Sequence, residues 1–488
     1  MTDTEGHFEE QGLRSGAIGL GGDLVAAVVN VAPSSSVAFT LALLVGFSGQ
    51  ASPLAVLLCG LGMVFCALGY ARLNRWRASA GAAYLWVGAA INPVIGVGTG
   101  LLSILTCIVS NTANVTLAGS YALYVIFNTH SASSLFVWLT AGAIVGLMLW
   151  VAITGLKLSV RVQLVLMAIE YSVIVSFVIL ALIHEASGAG GATLPSLHDF
   201  RISTSFGGFK GLAESAVIAA FLYGSWETPS SLGEESTNSK FNPGRAMILG
   251  TVFLTVWYTF LIAVFQGISG RAQVLAHGSD ILAYAGTVLA PGAWSRLLPF
   301  AVLMAVVGTT QMQMIQPSRI AYSLSRDELL PKFLKKIHPT HRTPWAALIV
   351  LAAIPLALLI PYLASSGLHT AINDLVGATG MLYLFMYFLV AVSSVWFYRS
   401  QLTRSFNEFL IGGVLPLVGG LFLLVLFIYG LTTQTKAIAV VSAVGIVLVY
   451  VLAVVIKRVR PNSPFFKAMD ELRNSPEDVI FTPDGELL

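Results

Sequence analysis

An all-α, polytopic membrane protein of about twelve transmembrane helices is the fold this sequence predicts, with the first and sixth helices broken. Composition, recurrence and charge placement lead to it. Of the 488 residues, 56% are hydrophobic and only 10% are charged, under half the charged share of a soluble domain. Apolar runs long enough to cross a bilayer recur from end to end and leave no room for a soluble domain beyond short tails. The basic residues between those runs fall overwhelmingly on one side, in alternate connections, as the positive-inside rule requires of a threaded membrane chain.

The tail Met1–Arg14 is acidic and polar, unlike the basic, apolar start of a cleaved signal peptide, so the first span is expected to remain in the mature protein. Spans follow at about 22–47, 52–72, 91–127, 134–155, 161–184 and 211–235. The second half continues at about 245–268, 291–323, 344–363, 370–398, 407–431 and 437–457. The third is too long for one perpendicular crossing and must tilt or project beyond the bilayer. A basic, amphipathic connector, Arg72–Arg77, follows the second span, and a loop rich in Gly, Ser and Pro precedes the sixth. With both termini cytoplasmic, only Arg201, Lys210, Arg271, Arg296 and Lys436 of the 26 Lys and Arg residues face outside. The expected location is the plasma membrane, with a membrane domain over 15–460 between cytoplasmic tails 1–14 and 461–488.

Several function classes are excluded or unsupported. A net charge of +3, dispersed along the chain, does not suggest nucleic acid. Cys59, Cys66 and Cys107 lie in apolar runs without metal-ligand spacing and read as free, buried thiols. No metal or cofactor is called for, and no Gly-Lys-Ser/Thr phosphate loop supports ATP drive. A membrane-embedded enzyme would want paired acids or a His/Glu cluster within a span, and none is present. A channel is a poor match to one chain with two unlike broken helices. A sensor built like a transporter stays open.

The two interruptions carry the functional reading. Asn30-Val-Ala-Pro-Ser-Ser-Ser36 breaks the first apolar run, since Pro33 removes a donor and three serines offer the backbone non-helical bonds. Five spans later, Tyr223-Gly-Ser-Trp-Glu-Thr-Pro-Ser-Ser-Leu-Gly-Glu-Glu235 breaks the sixth in the same manner, with Gly224, Pro229 and a carboxylate, Glu227. Lipid tolerates unwound backbone only where it is buried in protein or lines a cavity. Interruptions at corresponding positions of two halves point to inverted repeats, about 22–184 and 211–398, with a transport site between them. Spans at about 407–457 are then accessory, left for lipid contact or a homodimer.

Further residues carry a family resemblance. Phe221-Leu-Tyr-Gly-Ser-Trp-Glu227, Leu232-Gly-Glu-Glu235, Asn242-Pro243 and Ser79-Ala-Gly-Ala-Ala-Tyr84 look like conserved segments of the amino acid–polyamine–organocation (APC) permeases. Arg319-Ile-Ala-Tyr-Ser-Leu-Ser-Arg-Asp-Glu-Leu-Leu-Pro331, then His338-Pro and Arg342-Thr-Pro-Trp345, resembles their loop between spans eight and nine. The resemblance runs from about residue 15 to 460 and implies the leucine-transporter fold, with a 5+5 inverted repeat, and movement of amino acids or related amines. It departs at the first break, where many members carry a Gly-Ser-Gly type of sequence and this chain has Pro33-Ser-Ser-Ser36. A few extra residues also separate Glu235 from Pro243.

An amino acid presents a carboxylate and an ammonium group, and broken helices can hold both. The half-helix beginning after the first break offers N–H groups and a positive dipole end, which makes Ser34, Ser35 and Ser36 the candidate carboxylate donors. Half-helices ending at the breaks offer carbonyls to the ammonium, placing the backbones of Val29, Asn30, Phe221 and Tyr223 opposite; the resemblance implies the same division. Phe221, Tyr223 and Trp226 shape or gate the pocket or pack beside it. Glu170, mid-way along the fifth span, is a candidate proton-exchanging or site-organising group, with a hydrogen bond to the first or eighth span as the alternative. In some family members a lysine near that position is thought to stand where sodium sits in related transporters. Glu227 is expected to steady the unwound backbone. Asn111, Gln311, Gln313 and Gln316 line a path or bond between helices, whereas Asp23, Glu214 and Asp374 sit near span ends as solvated or capping groups. The expected function is secondary active transport of amino acids by proton-coupled symport, with exchange or polyamine transport as alternatives.

Overall fold

The structure, a computed structural model, describes residues 12–129, 132–278, 281–362 and 368–474. Most of the predicted N-terminal tail and the end of the C-terminal tail lie outside the described residues. Those described form helices joined by turns, with no strand among them beyond two isolated bridges, Ile18 with Ser236 and Gly49 with Ser205.

In chain order the first helices are α1 (Leu20–Val29), α2 (Pro33–Ser48), α3 (Ser52–Trp76), α4 (Ala83–Ala90), α5 (Pro93–Phe127), α6 (Ser134–Thr154) and α7 (Leu156–Ser187). Then come α8 (Gly208–Leu222), α9 (Thr228–Ser231), α10 (Asn242–Gln266), α11 (Arg271–His277), α12 (Ile281–Leu289) and α13 (Leu297–Arg326). The chain closes with α14 (Trp345–Leu358), α15 (Leu368–Phe397), α16 (Phe406–Phe409), α17 (Leu415–Thr433), α18 (Lys436–Val459) and α19 (Pro464–Asn474). Proline opens α2, α3, α5, α9, α10 and α17 near N1, where its missing N–H costs nothing.

Among the described residues, 10 helices are long and apolar enough to cross a membrane, so the chain is a multi-pass membrane protein. Two of the predicted spans are not on that count. The sixth stops as a helix at Leu222, and the ninth, Trp345–Leu358, has only 14 residues. At 35 residues, α5 bears out the reading of an over-long third span, since its length of about 50 Å exceeds the roughly 30 Å hydrocarbon core.

Burial sorts the bundle into layers. The apolar stretch of α1 and α2 is 94% buried, that of α13 83% and that of α5 72%, whereas α18 is 22% buried and α7 28%. The first, third and eighth spans are therefore the centre, and the last spans present their apolar faces outward. That accounts for the exposed Val440, Val444, Val447, Leu448 and Val451 on α18, which face lipid rather than water.

Loops gather at two ends. At one, Asn74 donates to the Ser239 carbonyl at 2.9 Å, Arg326 pairs with Glu234 at 2.8 Å, and Arg460 reaches the Leu330 carbonyl at 3.3 Å. At the other, the Thr193 amide bonds the Gly267 carbonyl at 2.8 Å, the Phe206 amide bonds Ser48 at 3.2 Å, and Arg271 caps the Gly46 carbonyl at 2.8 Å.

The first end also holds structure that the sequence did not signal. α4 lies so close to α5 that a Cβ on Gly96 would sit 2.5 Å from the Gly88 Cα and the Tyr84 carbonyl oxygen. Because the obstacle is backbone, Gly96→Ala is expected to cost about 1–3 kcal/mol, read as a lowered unfolding temperature in detergent. The predicted polar C-terminal tail contains α19, which buries Phe465, Phe466 and Met469 against the bundle. Cys59, Cys66 and Cys107 are free and buried.

Candidate functional site

Between α1 and α2 the backbone leaves the helical path for three residues, Asn30 to Ala32, with Ala32 in the left-handed region at φ 49°. Two neighbouring spans hold the turn open. The Tyr258 hydroxyl donates to the Val31 carbonyl at 3.0 Å and Thr309 to the Val29 carbonyl at 3.1 Å. Within the break, Ser35 and Ser36 turn their hydroxyls back onto the carbonyls of Ala32 and Val31, at 3.1 and 2.7 Å, the local bonding that serine runs favour.

The N-terminus of α2 already faces an anion. Glu170, 2% exposed, accepts from both the Ser34 amide at 3.0 Å and the Ser34 hydroxyl at 2.7 Å. A carboxylate at a helix N-terminus, met by an N–H and an O–H, is electrostatically favoured. Ser36 donates its amide to Ala32, and among the described residues the Ser35 amide has no acceptor.

The second break runs from Tyr223 to Glu227, with Ser225 at φ 76°. Tyr383 and Tyr387 of α15 support it. The Ser225 amide donates to the Tyr387 hydroxyl at 2.9 Å, the Ser225 hydroxyl bonds that of Tyr383, and Tyr387 donates to Glu227 at 2.5 Å. Gly224 is required by close approach, since a Cβ there would meet the Tyr383 ring at 2.3 Å.

A polar relay joins the breaks across α13. Gln316 donates to Glu227 at 2.8 Å, and its amide oxygen accepts from Thr228 at 2.8 Å and from Asn30 at 2.9 Å. Asn30 also donates to Thr228 at 2.6 Å. Three segments distant in sequence are thereby locked in one arrangement.

The aromatic candidates divide by burial. Tyr223 and Trp226 are fully buried. The Tyr223 hydroxyl reaches the Val56 carbonyl at 2.9 Å. Trp226 packs edge-on to Tyr70 at 4.9 Å and tilts against Tyr387 at 5.0 Å. Phe221 is half-buried and meets Phe39 edge-on at 6.4 Å across the breaks.

Several polar groups remain unpaired among the described residues: the Asn30 and Tyr223 carbonyls, Asn30 Oδ1 and the Trp226 indole N–H. Buried polar groups are rarely left without partners, so both breaks present groups fit for a small zwitterionic or cationic solute. Asn111 and one face of Gln313 are likewise unpaired, while Gln311 bonds Gln163 and the Met148 carbonyl. Among the described residues, no three His, Cys, Asp or Glu side chains are grouped to hold a metal.

Sequence reasoning missed Tyr383, Tyr387 and Thr228. Its one accessible signal was two tyrosines four residues apart, on one face of an otherwise apolar span. Asp23, read as solvated or capping, is instead fully buried and accepts from Ser236 at 2.6 Å. Backbone bonds from Ile18 to Glu235 and Thr237 hold the segment carrying Ser236 against the start of α1.

The family segments of the sequence converge at the end of the bundle below this site. Arg319, fully buried, pairs with Glu235 at 2.9 Å, and the Ala80 amide bonds Glu234 at 2.9 Å. The Tyr84 hydroxyl reaches Asp327 at 2.5 Å. Comparison with known proteins agrees with this convergence. The chain matches the amino acid permease family model over residues 23–457. It is 26% identical over 395 residues to the low-affinity putrescine importer PlaP of Escherichia coli strain K12, covering 78% of this chain and 81% of that protein. It is 24% identical over 196 residues to the branched-chain amino acid permease BcaP of Bacillus subtilis strain 168, covering 40% and 39%. It is 23% identical over 313 residues to the human large neutral amino acids transporter small subunit 2, covering 63% and 56%. With transporters as its relatives and a family match spanning nearly the whole membrane bundle, the chain belongs to the amino acid permease family of the APC superfamily.

Proposed function

We propose that this protein is a secondary active transporter that carries amino acids across the plasma membrane by proton-coupled symport, at a site between the two helix breaks. The observation that carries the reading is Glu170 on the Ser34 amide and hydroxyl, at 3.0 and 2.7 Å. That is where a substrate carboxylate needs donors. Charged Glu170 competes for them, whereas neutral Glu170 is a weaker acceptor and yields the helix end to the incoming carboxylate. Proton and amino acid then bind together, and the unpaired carbonyls of Asn30 and Tyr223 face the ammonium group, those of Val29 and Phe221 being already engaged by Thr309 and the Gly224 amide. The Ser35 amide completes the donor side, whereas Ser36, expected to share that role, spends its amide on Ala32 and its hydroxyl on Val31 and braces the turn instead; Gly224 and Trp226 shape the other wall.

Helix pairing supports inverted repeats of five spans, α1–α7 and α8–α15, with α17 and α18 accessory and available for a homodimer. Span one packs on span six (α2 with α8), two on seven (α3 with α10) and three on eight (α5 with α13). The contact of span five with eight (α7 with α13) has its mate in ten with three (α15 with α5). A two-fold axis in the membrane plane generates such mates. The positive-inside rule supports a cytoplasmic side at the basic end of the bundle, where Asn74, Arg326 and Arg460 lie.

The test is uptake into proteoliposomes across a panel of amino acids and polyamines, with and without a pH gradient. Glu170→Gln is expected to transport with a flat pH dependence, and an unchanged pH dependence would sink the symport reading. A second reading, transport of an amine without a carboxylate, is favoured by Glu170 and Glu227 both standing at the breaks as ready-made anions and by the likeness to a putrescine importer. There, Glu170→Gln would abolish uptake outright.

A further inference from the structure

Away from the transport site, at the basic end of the bundle, a cavity of about 320 Å³ opens between α3, the start of α10 and the short α16. Arg72, Arg75, Lys240 and Arg245 line it, opposed by one carboxylate, Glu408. Arg72 is tied by one nitrogen to Glu408 and lies over the Tyr398 ring at 4.1 Å, yet its Nη1 is buried with no partner among the described residues. Arg75 and Arg245 are exposed and form no ion pair among the described residues. The Phe241 ring holds both guanidinium groups, at 5.1 and 5.7 Å from its centre, so two like charges share one mouth.

The backbone around the cavity is also unusual. Gly244, in the first turn of α10, forms part of the wall, and the positive end of a 25-residue helix therefore adds to the side-chain charge. Across from it, residues Leu410–Val414 form a π-helical turn, a distortion that recurs at functional sites. That turn brings Gly412 against Arg72, where any Cβ would overlap the guanidinium.

Beyond the mouth the surface is apolar. Leu249, Val252, Phe253 and Val256 continue from Arg245 along one exposed face of α10, and Val418, Leu421 and Val425 form an exposed face on α17. A cationic, partly buried cup at the end of exposed apolar helix faces fits a phosphate that carries acyl chains.

We propose that this cavity is a binding site for the phosphate headgroup of an anionic membrane lipid, with Arg75 and Arg245 as its open donors, Arg72 at its base and acyl chains along α10. The basic connector Arg72–Arg77 thereby becomes part of a lipid site as well as a topology signal.

The experiment uses the full chain in nanodiscs of phosphatidylcholine with or without phosphatidylglycerol or cardiolipin, followed by native mass spectrometry after detergent washing. The wild type is expected to retain anionic lipid. Arg75→Gln/Arg245→Gln should retain about thirtyfold less, since each basic residue near an anionic membrane surface contributes about fivefold. Lys332→Gln/Lys336→Gln, at another basic surface, should retain as much as the wild type. Equal retention by all three proteins overturns the proposal. So does millimolar inorganic phosphate shifting the unfolding temperature of wild type but not of the double variant while no lipid is retained, which would assign the cup to free phosphate.

Discussion

Replacing Arg319 by alanine is expected to destabilise the protein by about 3–5 kcal/mol, the cost of stranding one partner of a buried ion pair. Arg319 is 0% and Glu235 1% exposed, with two nitrogens donating to the two carboxylate oxygens at 2.9 and 3.3 Å. Without the guanidinium, Glu235 stays buried with no countercharge. Thermal unfolding in detergent reads the effect, and an unfolding temperature equal to wild type would refute it. The double variant Arg319→Met/Glu235→Leu separates stranding from lost packing, because swapping a whole buried pair for apolar groups is often neutral. It should recover most of the loss.

Glu227→Gln is expected to reduce transport by about tenfold to a hundredfold, since a hydrogen bond to a charged group contributes about 1.5–3 kcal/mol. The reason is polarity rather than size. Glu227 accepts from Tyr387 and Gln316 and donates to neither, and that fixes the Gln316 amide with its oxygen toward Asn30 and Thr228. An amide at 227 sets a donor against a donor at one end, and Gln316 cannot reverse without losing Asn30. Both breaks then lose their shared reference. Uptake normalised to folded protein measures this, and wild-type uptake by the variant would remove Glu227 from the site. Glu227→Gln/Tyr387→Phe should show less than additive loss, as expected for one network.

Much of the architecture was legible along the chain. Long apolar runs, prolines and glycines at Pro33 and Gly224, and the placement of Lys and Arg are local signals, readable because a bilayer forces backbone bonding inside each segment. The bundle's spans, the over-long α5 and the interruption before Pro33 all rest on such signals, although the structure unwinds only Asn30–Ala32 and keeps Ser34–Ser36 in the first turns of α2. The short ninth helix and α19 were less legible, because their lengths are set by packing against α5, α6 and α4 rather than by spanning hydrocarbon.

The candidate site was legible only in its backbone. Sequence located Glu170 mid-membrane and offered two roles for it, but its hold on Ser34 depends on how α7 rotates against α2, and a helix carries no record of its partner's rotation. Tyr383 and Tyr387 were missed because their partners, Ser225 and Glu227, are about 160 positions away. Asp23 misled for the same reason, being covered by residues from beyond the second break.

By itself, then, the sequence determined a multi-pass helical transporter, the positions where two helices lose regularity, and the family to which they belong. Those are properties of composition and short-range pattern, set by the cost of placing unpaired backbone in lipid. Only the tertiary structure decided which carboxylate faces the opened helix end, which amide relay joins the breaks, and that Arg319 and Glu235 neutralise one another. Burial strips these groups of water, and a buried polar group must find its partner wherever the fold, rather than the chain, has put one.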